Sequence, residues 1–228
     1  MLKKLNNIGD AGIVCDFGND VNQLINNEVI KLFHYIKKQA DLGNLEGILN
    51  CTPSYNKLVI NFDLKITNNK KIFNFINSID FPNLKLIQDK KEWNIPICYD
   101  LEMDLATMSN VLEINKEEII KIHSETTFFI YMVGFVPGHP FMGDLDSKVF
   151  LNRLKTPRVK VPAGSVGIVE KFCNIYPYES PGGWNIIGRT PIKLFNNKDA
   201  SQPCLLSPGD TVKFNPISKK EFDNFNNE

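Results

Sequence analysis

The first third of the chain contains a helical stripe and an alternating run of apolar side chains. Six apolar positions follow the 3.6-residue period of a helix: Ile25, Val29, Leu32, Phe33, Ile36 and Ala40. They predict an amphipathic helix with Asp20 as its N-cap and Gly43 at its end. Leu58, Ile60 and Phe62 recur at every second position, as one face of a half-buried strand does.

Further segments complete an α+β pattern in this region. Strands are predicted at Gly12–Phe17 and Leu45–Cys51, a second helix at Asn69–Ile79 and a possible strand near Leu84–Gln88. The order β-α-β-β-α is typical of a ferredoxin-like α+β domain, which we assign to residues 1–90. Because that fold hosts many activities, it does not predict the chemistry.

Residues 91–127 are predicted to form a crossing strand and a linking helical hairpin. Pro96 excludes a helix in Glu92–Tyr99, and Asp104 and Asn115 are the predicted N-caps of two short helices. A DNA-binding helix-turn-helix is the alternative, but residues 104–125 carry two basic and five acidic residues, a net charge of −3. A recognition helix has to neutralise phosphates. We therefore expect a hairpin packed between two domains, with His123 in an interface or supporting role.

Short strand candidates separated by turn residues fill the C-terminal half. They are Phe128–Gly134, Val166–Val169, Trp184–Ile187, Ile192–Phe195 and Val212–Asn215. This spacing predicts a compact β-barrel or sandwich over residues 128–217. Residues 218–228 are predicted to be a polar tail.

Composition and charge argue against several classes of protein. The 228 residues contain 26 basic and 26 acidic side chains, so no global field favours nucleic acid or an anionic membrane. No apolar run approaches the roughly 20 residues of a membrane span, and the N-terminal sequence does not read as a secretory signal. The five cysteines are widely spaced and form no CxxC. We expect reduced thiols in a cytoplasmic protein without nucleic-acid or membrane partners.

Glycine and proline concentrate in Val161–Thr190, which holds five of the fourteen glycines. A basic run without an acidic residue comes just before it: Lys148, Arg153, Lys155, Arg158 and Lys160. The run is either a solvated loop or an anion site, to which the backbone amides of Ala163–Gly167 would contribute. The sequence contains no Walker loop, no nucleophile elbow around Ser165 and no metal-ligand spacing.

Four segments of the C-terminal half closely resemble a known family. They are GFVPGHPFMG (Gly134–Gly143), VPAGSVGI (Val161–Ile168), IYPYESPGGWNIIGRT (Ile175–Thr190) and LLSPGD (Leu205–Asp210). With GDAGIVCDFG and IPICYD, the resemblance runs nearly end to end. The family is that of the B subunit of the bacterial ATP-dependent 5-oxoprolinase. The same family includes KipI, an inhibitor of a sporulation histidine kinase. It has also been labelled allophanate hydrolase subunit 1, and it matches the carboxyltransferase region of urea carboxylase.

The resemblance implies an α+β fold, in which a ferredoxin-like domain precedes a cyclophilin-like β-barrel. It implies one component of an enzyme, inactive alone, that hydrolyses 5-oxoproline together with proteins similar to the C and A subunits of 5-oxoprolinase. The implied cofactor is ATP, with Mg at a shared site and no metal bound by this chain. Alternatives are a KipI-type kinase inhibitor, a paralogue acting on a urea- or allophanate-like substrate, and a face that only docks the partner barrel.

Candidate site residues come from the segments that carry the resemblance and from the basic run before them. The candidate catalytic residues are His139, Arg153, Arg158 and Arg189, with the arginines placed around transferring phosphoryl oxygens. The candidate substrate- or anion-binding residues are Pro137, Gly138, Gly164, Ser165, Gly167, Tyr176, Glu179, Ser180, Gly182, Gly183 and Trp184.

Three segments depart from the family pattern. His139 stands where the family usually has an aromatic residue, and Leu151–Leu154 stands where it has Thr-Pro-Arg-Arg. Lys171–Asn174 replaces a Gly-x-Gln-Thr-Gly segment. His139 is predicted either to fill the aromatic slot or to be a new acid/base group. Because these changes fall in candidate ligand loops, a different amide substrate stays an alternative.

Overall fold

The computed structural model describes residues 2–85 and 90–225. Contacts between Cα atoms divide the chain into two compact units, Met1–Asp89 and Lys90–Glu228. Each unit has its own apolar core. The segment assigned to a linker, residues 91–127, falls within the second unit.

The first unit is a four-stranded antiparallel sheet with two helices. Its elements are β1 (Lys4–Ile8), β2 (Gly12–Asp16), α1 (Gln23–Asp41), β3 (Ile48–Pro53), β4 (Lys57–Phe62) and α2 (Asn69–Asn77). The strand order is β1-β2-β4-β3, so α1 connects β2 to β3 across the intervening β4. The sequence did not predict β1, because an edge strand with no buried residue shows no apolar alternation.

The predictions for the two ends of α1 and for a strand at Leu84–Gln88 can be compared with the structure. The N-cap of α1 is Asn22, whose side chain accepts a hydrogen bond from the Ile25 amide at 2.9 Å, so the assignment of Asp20 was wrong. Gly43 follows the helix in the left-handed conformation, with φ of 75°. Of the predicted strand Leu84–Gln88, the first two residues are not in a strand and the other three lie outside the described residues.

The second unit is built on a seven-stranded, nearly closed sheet. Its order is β12-β9-β10-β7-β6-β13-β5, with β13 and β5 parallel and the other pairs antiparallel. The strands are β5 (Glu92–Ile97), β6 (Phe128–Val133), β7 (Pro140–Gly143), β9 (Ser165–Val169), β10 (Phe172–Ile175), β12 (Asn185–Arg189) and β13 (Thr211–Pro216). Cys98, directly after β5, exchanges backbone hydrogen bonds with Arg189 of β12 at 2.8 and 3.0 Å. This bridge joins the two ends of the sheet and gives it a barrel-like shape.

The remaining elements of the second unit surround this sheet. They are α3 (Leu105–Leu112), α4 (Lys116–Glu125), the small separate sheet of β8 (Arg158–Val161) with β11 (Ser180–Gly182), and α5 (Lys219–Phe225). Asn115 caps α4 as predicted, at 2.7 Å from the Glu118 amide. The predicted strand Ile192–Phe195 was wrong: apart from one bridge between Phe195 and Cys204, the segment forms no ladder. Its apolar signal reflects Leu194, which is buried in the core.

His123 is buried in the core of the second unit. Its Nδ1 atom lies 2.7 Å from the Tyr99 hydroxyl, and its Nε2 atom lies 3.6 Å from the Cys173 sulfur. The rings of Phe128 and Phe214 flank it. Burial lowers the pKa of His123 to about 3, so the ring is neutral at pH 7. The predicted interface role was therefore wrong, because the imidazole connects side chains inside one unit.

The polar tail contains a helix that packs against the unit. Phe222 of α5 is 4% exposed, and the Arg189 guanidinium carbon lies 5.7 Å from its ring centre. Phe225, one turn later, is 48% exposed. The tail up to residue 225 thus contributes one buried side chain, Phe222, to the fold.

We expect Phe222→Ala to lower the unfolding free energy of the second unit by about 3 kcal/mol, because it removes a buried aromatic ring. Phe225→Ala is the matched control and should cost less than about 0.5 kcal/mol. Both tryptophans lie in this unit, so tryptophan fluorescence during chemical denaturation reports on it selectively. Equal effects of the two substitutions would contradict a docked α5.

Candidate functional site

The candidate site lies on the face of the sheet opposite the main core. Phe141 of β7, Asn174 of β10 and Gly167 of β9 are neighbours across three adjacent strands. The residue before Asn174 on β10, Cys173, belongs to the core. Because side chains alternate along a strand, Asn174 points to the other face. Tyr176 follows β10 and is 3% exposed in this region.

Three glycines let the surrounding side chains approach the backbone. A Cβ atom at Gly167 would lie 2.9 Å from both Asn174 Oδ1 and Trp184 Cβ. One at Gly182 would clash with the Tyr176 hydroxyl, and one at Gly183 would lie 2.8 Å from Arg153 Nε. The glycine pattern that the sequence singled out therefore makes room for Asn174, Tyr176 and Arg153.

Asp104 fixes the position of Arg158. The buried Asp104 carboxylate forms an ion pair with Nη2 of Arg158 and accepts a hydrogen bond from the Ile186 amide at 2.6 Å. Asp104 occupies the N-cap position of α3 but makes no capping bond; Glu102 accepts from the Leu105 amide instead, at 2.9 Å. The predicted capping role of Asp104 was therefore wrong, because its carboxylate is used by β8 and β12.

Four buried polar atoms around Tyr176 have no hydrogen-bond partner in the described part of the chain. They are Nη1 of Arg158, Oδ1 of Asn174, and Nδ1 and Nε2 of His139. Such groups are rare in folded proteins, since each costs about 1–3 kcal/mol when left unsatisfied. Their concentration around one side chain indicates a place where a ligand completes the hydrogen bonding.

His139 is part of an aromatic cluster. Its ring stacks on Phe141 at 4.6 Å between centres, and it lies 5.4 Å from Tyr176. Phe135 contacts its other side edge-on at 6.0 Å. Burial lowers the pKa of His139 to about 4, so the ring is neutral at pH 7 and carries one donor and one acceptor nitrogen.

Tyr176 is a neutral hydrogen-bonding group in this cluster. Burial raises the pKa of its hydroxyl, and this effect outweighs the opposing influence of the Asn174 side chain, the Trp184 amide, and the charges of Arg153 and Arg158. The interaction with Asn174 lowers the pKa, as a donor from the amide nitrogen does. The Asn174 oxygen is then left without a partner, in agreement with the geometry.

Arg189 and the predicted anion nest have structural partners. Nε of Arg189 donates to the Ala163 carbonyl at 2.7 Å, and its guanidinium covers Phe222. The Gly164 amide donates to the Tyr176 carbonyl at 2.7 Å, and the Ser165 amide to Pro162 at 3.2 Å. The Gly164 and Ser165 amides are therefore used within the fold, which argues against the anion nest that the sequence analysis offered as one of two alternatives. Gly164 has φ of 81°, and a Cβ there would collide with the Thr190 carbonyl.

The other candidate residues lie around the edge of this region. Glu179 is exposed and pairs with Lys160 at 3.1 Å, and Ser180 starts β11. Pro137 and Gly138 form the turn before His139, where a Cβ at Gly138 would lie 2.7 Å from Phe195. Trp184 packs against Tyr176, and its ring lies 6.1 Å from Phe141. Phe141 was missed because a single phenylalanine in a strand carries no sequence signal. Asn174 was noted only as the last residue of the Lys171–Asn174 segment and was not named as a site residue.

A cleft of about 670 Å³ lies elsewhere on the second unit. It is lined by Tyr178 and by residues between Lys193 and Leu205. None of the unpartnered buried atoms belongs to its lining. The large cleft and the buried polar atoms without partners thus lie in different places. We assign the site to the unpartnered atoms, because such atoms require a hydrogen-bond partner.

Comparison with known proteins places the chain in a family. Residues 3–206 match the carboxyltransferase domain, subdomain C and D, and the chain belongs to this family. The B subunit of 5-oxoprolinase from Bacillus subtilis is 32% identical over 99% of this chain and 97% of its own length.

Two further relatives extend the comparison. The urea amidolyase of Saccharomyces cerevisiae is 25% identical over 94% of this chain and 13% of its own length. The crystal structure of TTHA0988 superposes with a TM-score of 0.80 at 26% identity, covering 92% of this chain and 40% of that one. This chain therefore spans less than half of TTHA0988.

Membrane-spanning and metal-binding features are absent from the described residues. Between residues 2 and 85 and between 90 and 225, no helix has both the length and the apolar character needed to cross a bilayer. The same segments contain no group of three or more histidine, cysteine, aspartate or glutamate side chains arranged to bind a metal ion.

We expect Arg158→Ala to lower the unfolding free energy of the second unit by about 3 kcal/mol, because it leaves the Asp104 carboxylate buried without its cation. Arg153 is exposed, so Arg153→Ala should change it by less than about 0.5 kcal/mol. Chemical denaturation followed by tryptophan fluorescence measures both. Indistinguishable stabilities would show that the ion pair does not hold β8.

Acid should destabilise the second unit through its buried histidines. Unfolded histidines bind protons near pH 6.5, whereas His123 and His139 resist protonation down to about pH 3 and 4 when folded. Protons therefore favour unfolding, and stability is lost as the pH falls below 6.5, by up to about 1.4 kcal/mol per pH unit for each histidine. His139→Phe should reduce the slope between pH 6 and 4.5 by that amount. An unchanged slope would mean that His139 is not buried as described.

Proposed function

We propose that this chain is a subunit of an ATP-dependent amidohydrolase that converts 5-oxoproline, ATP and water to glutamate, ADP and phosphate. The observation that carries the proposal is the alignment with the B subunit of the Bacillus subtilis 5-oxoprolinase, which covers almost the whole of both proteins. The polar cluster around Tyr176 supports it, because it offers donors to a developing oxyanion.

The arginines of the site fit an anionic cosubstrate. Arg153 is exposed and Nη1 of Arg158 has no partner among the described residues, so both have donors available for phosphoryl oxygens. ATP, when bound, supplies the phosphoryl group that turns the amide oxygen into a leaving group. Mg would enter with the nucleotide. Arg189 is left out of this role because its guanidinium already has the Ala163 carbonyl and Phe222 as partners.

The chain's own residues then bind and orient the substrate. Asp104 holds Nη2 of Arg158, so that Nη1 faces the substrate oxygen on which negative charge develops. Tyr176 stays protonated at neutral pH and provides a second polar contact. Trp184 and Phe141 cover the ring of the substrate and exclude water.

The proposal includes partner proteins. A protein similar to the C subunit of 5-oxoprolinase would complete the site, one similar to the A subunit would complete ring opening, and the chain alone would be inactive. This reaction would take place in the cytoplasm. The proposal also identifies the first unit as ferredoxin-like and the second as a cyclophilin-like barrel, which the split β-α-β connection and the nearly closed sheet support.

A second candidate is a paralogue that acts on a urea- or allophanate-like substrate. The match to yeast urea amidolyase across most of this chain favours it, as do the departures at His139 and Asn174, which contact Tyr176. No specific contact among the described residues favours the KipI-type inhibitor, which stays a prediction from the sequence.

The test is reconstitution with the A and C subunits of a bacterial 5-oxoprolinase, followed by ATP-dependent glutamate release. We expect activity from the mixture and none from the chain alone. Arg153→Ala should lower kcat/KM about 100-fold, the usual effect of removing a donor to a developing charge. Lys160→Ala, which removes an exposed cation of the same segment, should change it less than about twofold.

The outcomes separate three cases. No release of glutamate, when the control enzyme is active, overturns the proposal for 5-oxoproline, and ATP-dependent turnover of urea or allophanate instead would support the second candidate. Full activity of Arg153→Ala at saturating partner would show that Arg153 only docks the partner protein.

A further inference from the structure

Two buried histidines in the second unit differ in their hydrogen bonding. His123 has the Tyr99 hydroxyl near one ring nitrogen and the Cys173 sulfur near the other. His139 is also buried, but neither nitrogen has a partner in the described part of the chain. In the core of this unit, the structural histidine His123 thus has a polar atom near each of its ring nitrogens. The unpartnered His139 indicates a different use.

Two of the residues with unpartnered atoms, His139 and Asn174, lie close together in the fold. His139 directly precedes β7 and Asn174 lies on the neighbouring β10, and both contact Tyr176. An apolar side chain at either position would avoid the cost of burying an unsatisfied polar group. The presence of both polar groups at one place indicates that they act together.

We propose that Asn174 and His139 determine the specificity of this site, by selecting a ligand with an unsubstituted amide N–H next to its carbonyl oxygen. The Asn174 oxygen accepts from the ligand N–H, and Nη1 of Arg158 donates to the ligand carbonyl. Neutral His139 adds one donor and one acceptor beside them. The inference deepens the proposed function and rests on the same site.

The polarity of these atoms explains why the selection is strong. A ligand with an ester oxygen in place of the N–H leaves the Asn174 oxygen buried without a partner and brings another acceptor towards it. Sites built to hydrogen-bond a substrate group reject analogues that lack it far better than apolar pockets reject a missing methylene. Lactams and ureido groups meet the requirement, whereas lactones and N-methylated lactams do not.

The ligand would approach from the side covered by Arg153. That side chain is exposed and lies over Gly183, whereas Asn174 and His139 are 1% and 3% exposed. Arg158 is held from behind by Asp104 and keeps its position.

The test compares two ligands on the complex reconstituted with the A and C subunits of 5-oxoprolinase. Dissociation constants are measured by calorimetry for 5-oxoproline and for the lactone in which oxygen replaces the ring N–H. We expect the wild-type complex to bind the lactam at least about tenfold more tightly, the effect of one buried unpaired group. Asn174→Ala should reduce this preference to about twofold or less. Asn174→Asp, which keeps an acceptor oxygen, should retain most of it.

One control variant, a second site variant and a spectroscopic measurement accompany the binding test. Asn215→Ala, an exposed asparagine of β13, should leave the preference unchanged. His139→Phe should weaken lactam binding more than lactone binding. If Asn174→Ala does not fold, the side-chain amide resonance of Asn174 in the wild-type protein replaces it, and should shift with the lactam but not with the lactone.

The outcomes distinguish this inference from the proposed function. A lactam preference that Asn174→Ala removes, without any ATP-dependent glutamate release, would support the inference and overturn the function. Glutamate release with a preference that survives both Asn174→Ala and His139→Phe would overturn the inference alone. Equal binding of the two ligands to the wild-type complex, or no binding of either, would also overturn it.

Discussion

The Asp104 carboxylate is the group on which the candidate site depends. It binds Arg158 of β8 and the Ile186 amide of β12. Within the described ranges β8 pairs only with β11, in a small separate sheet, so this contact ties that sheet to the barrel-like one. A buried ion pair contributes little net stability, since desolvation offsets the attraction, but it fixes the positions of its partners. The Asp104 carboxylate thus fixes the geometry of the site without having to contact the ligand itself.

The orientation of Arg158 has a direct chemical consequence. One terminal nitrogen is engaged by Asp104, so the other is held in place without a partner of its own among the described residues. A preorganised donor loses little freedom when charge develops beside it, which makes it effective in catalysis. The nearby glycines let Tyr176 and Arg153 come close, and the half-buried rings of Phe141 and Trp184 lower the local polarity. The same low polarity keeps His139 and Tyr176 uncharged.

The sequence predicted those elements that periodicity or residue spacing within one segment can indicate. The stripe of α1, the cap at Asn115 and the strand around Ile60 all follow from periodicity or spacing. Tyr176 and Gly182, which are in contact in the structure, both lie in the Gly/Pro-rich segment that the sequence singled out, as does Gly183. The role of Asp104 was hidden, because an aspartate before a helix looks like a cap whether or not it makes one. Arg189 was assigned poorly because its partners Cys98, Ala163 and Phe222 lie far away in the chain, and only the fold brings them together.

The most direct test is a crystal structure of the reconstituted complex with 5-oxoproline and a non-hydrolysable ATP analogue. The account predicts the lactam within hydrogen-bond distance of Nη1 of Arg158 and Oδ1 of Asn174, with the Asp104–Arg158 pair intact. A lactam bound away from Tyr176, for example in the cleft between Tyr178 and Lys193, would contradict it.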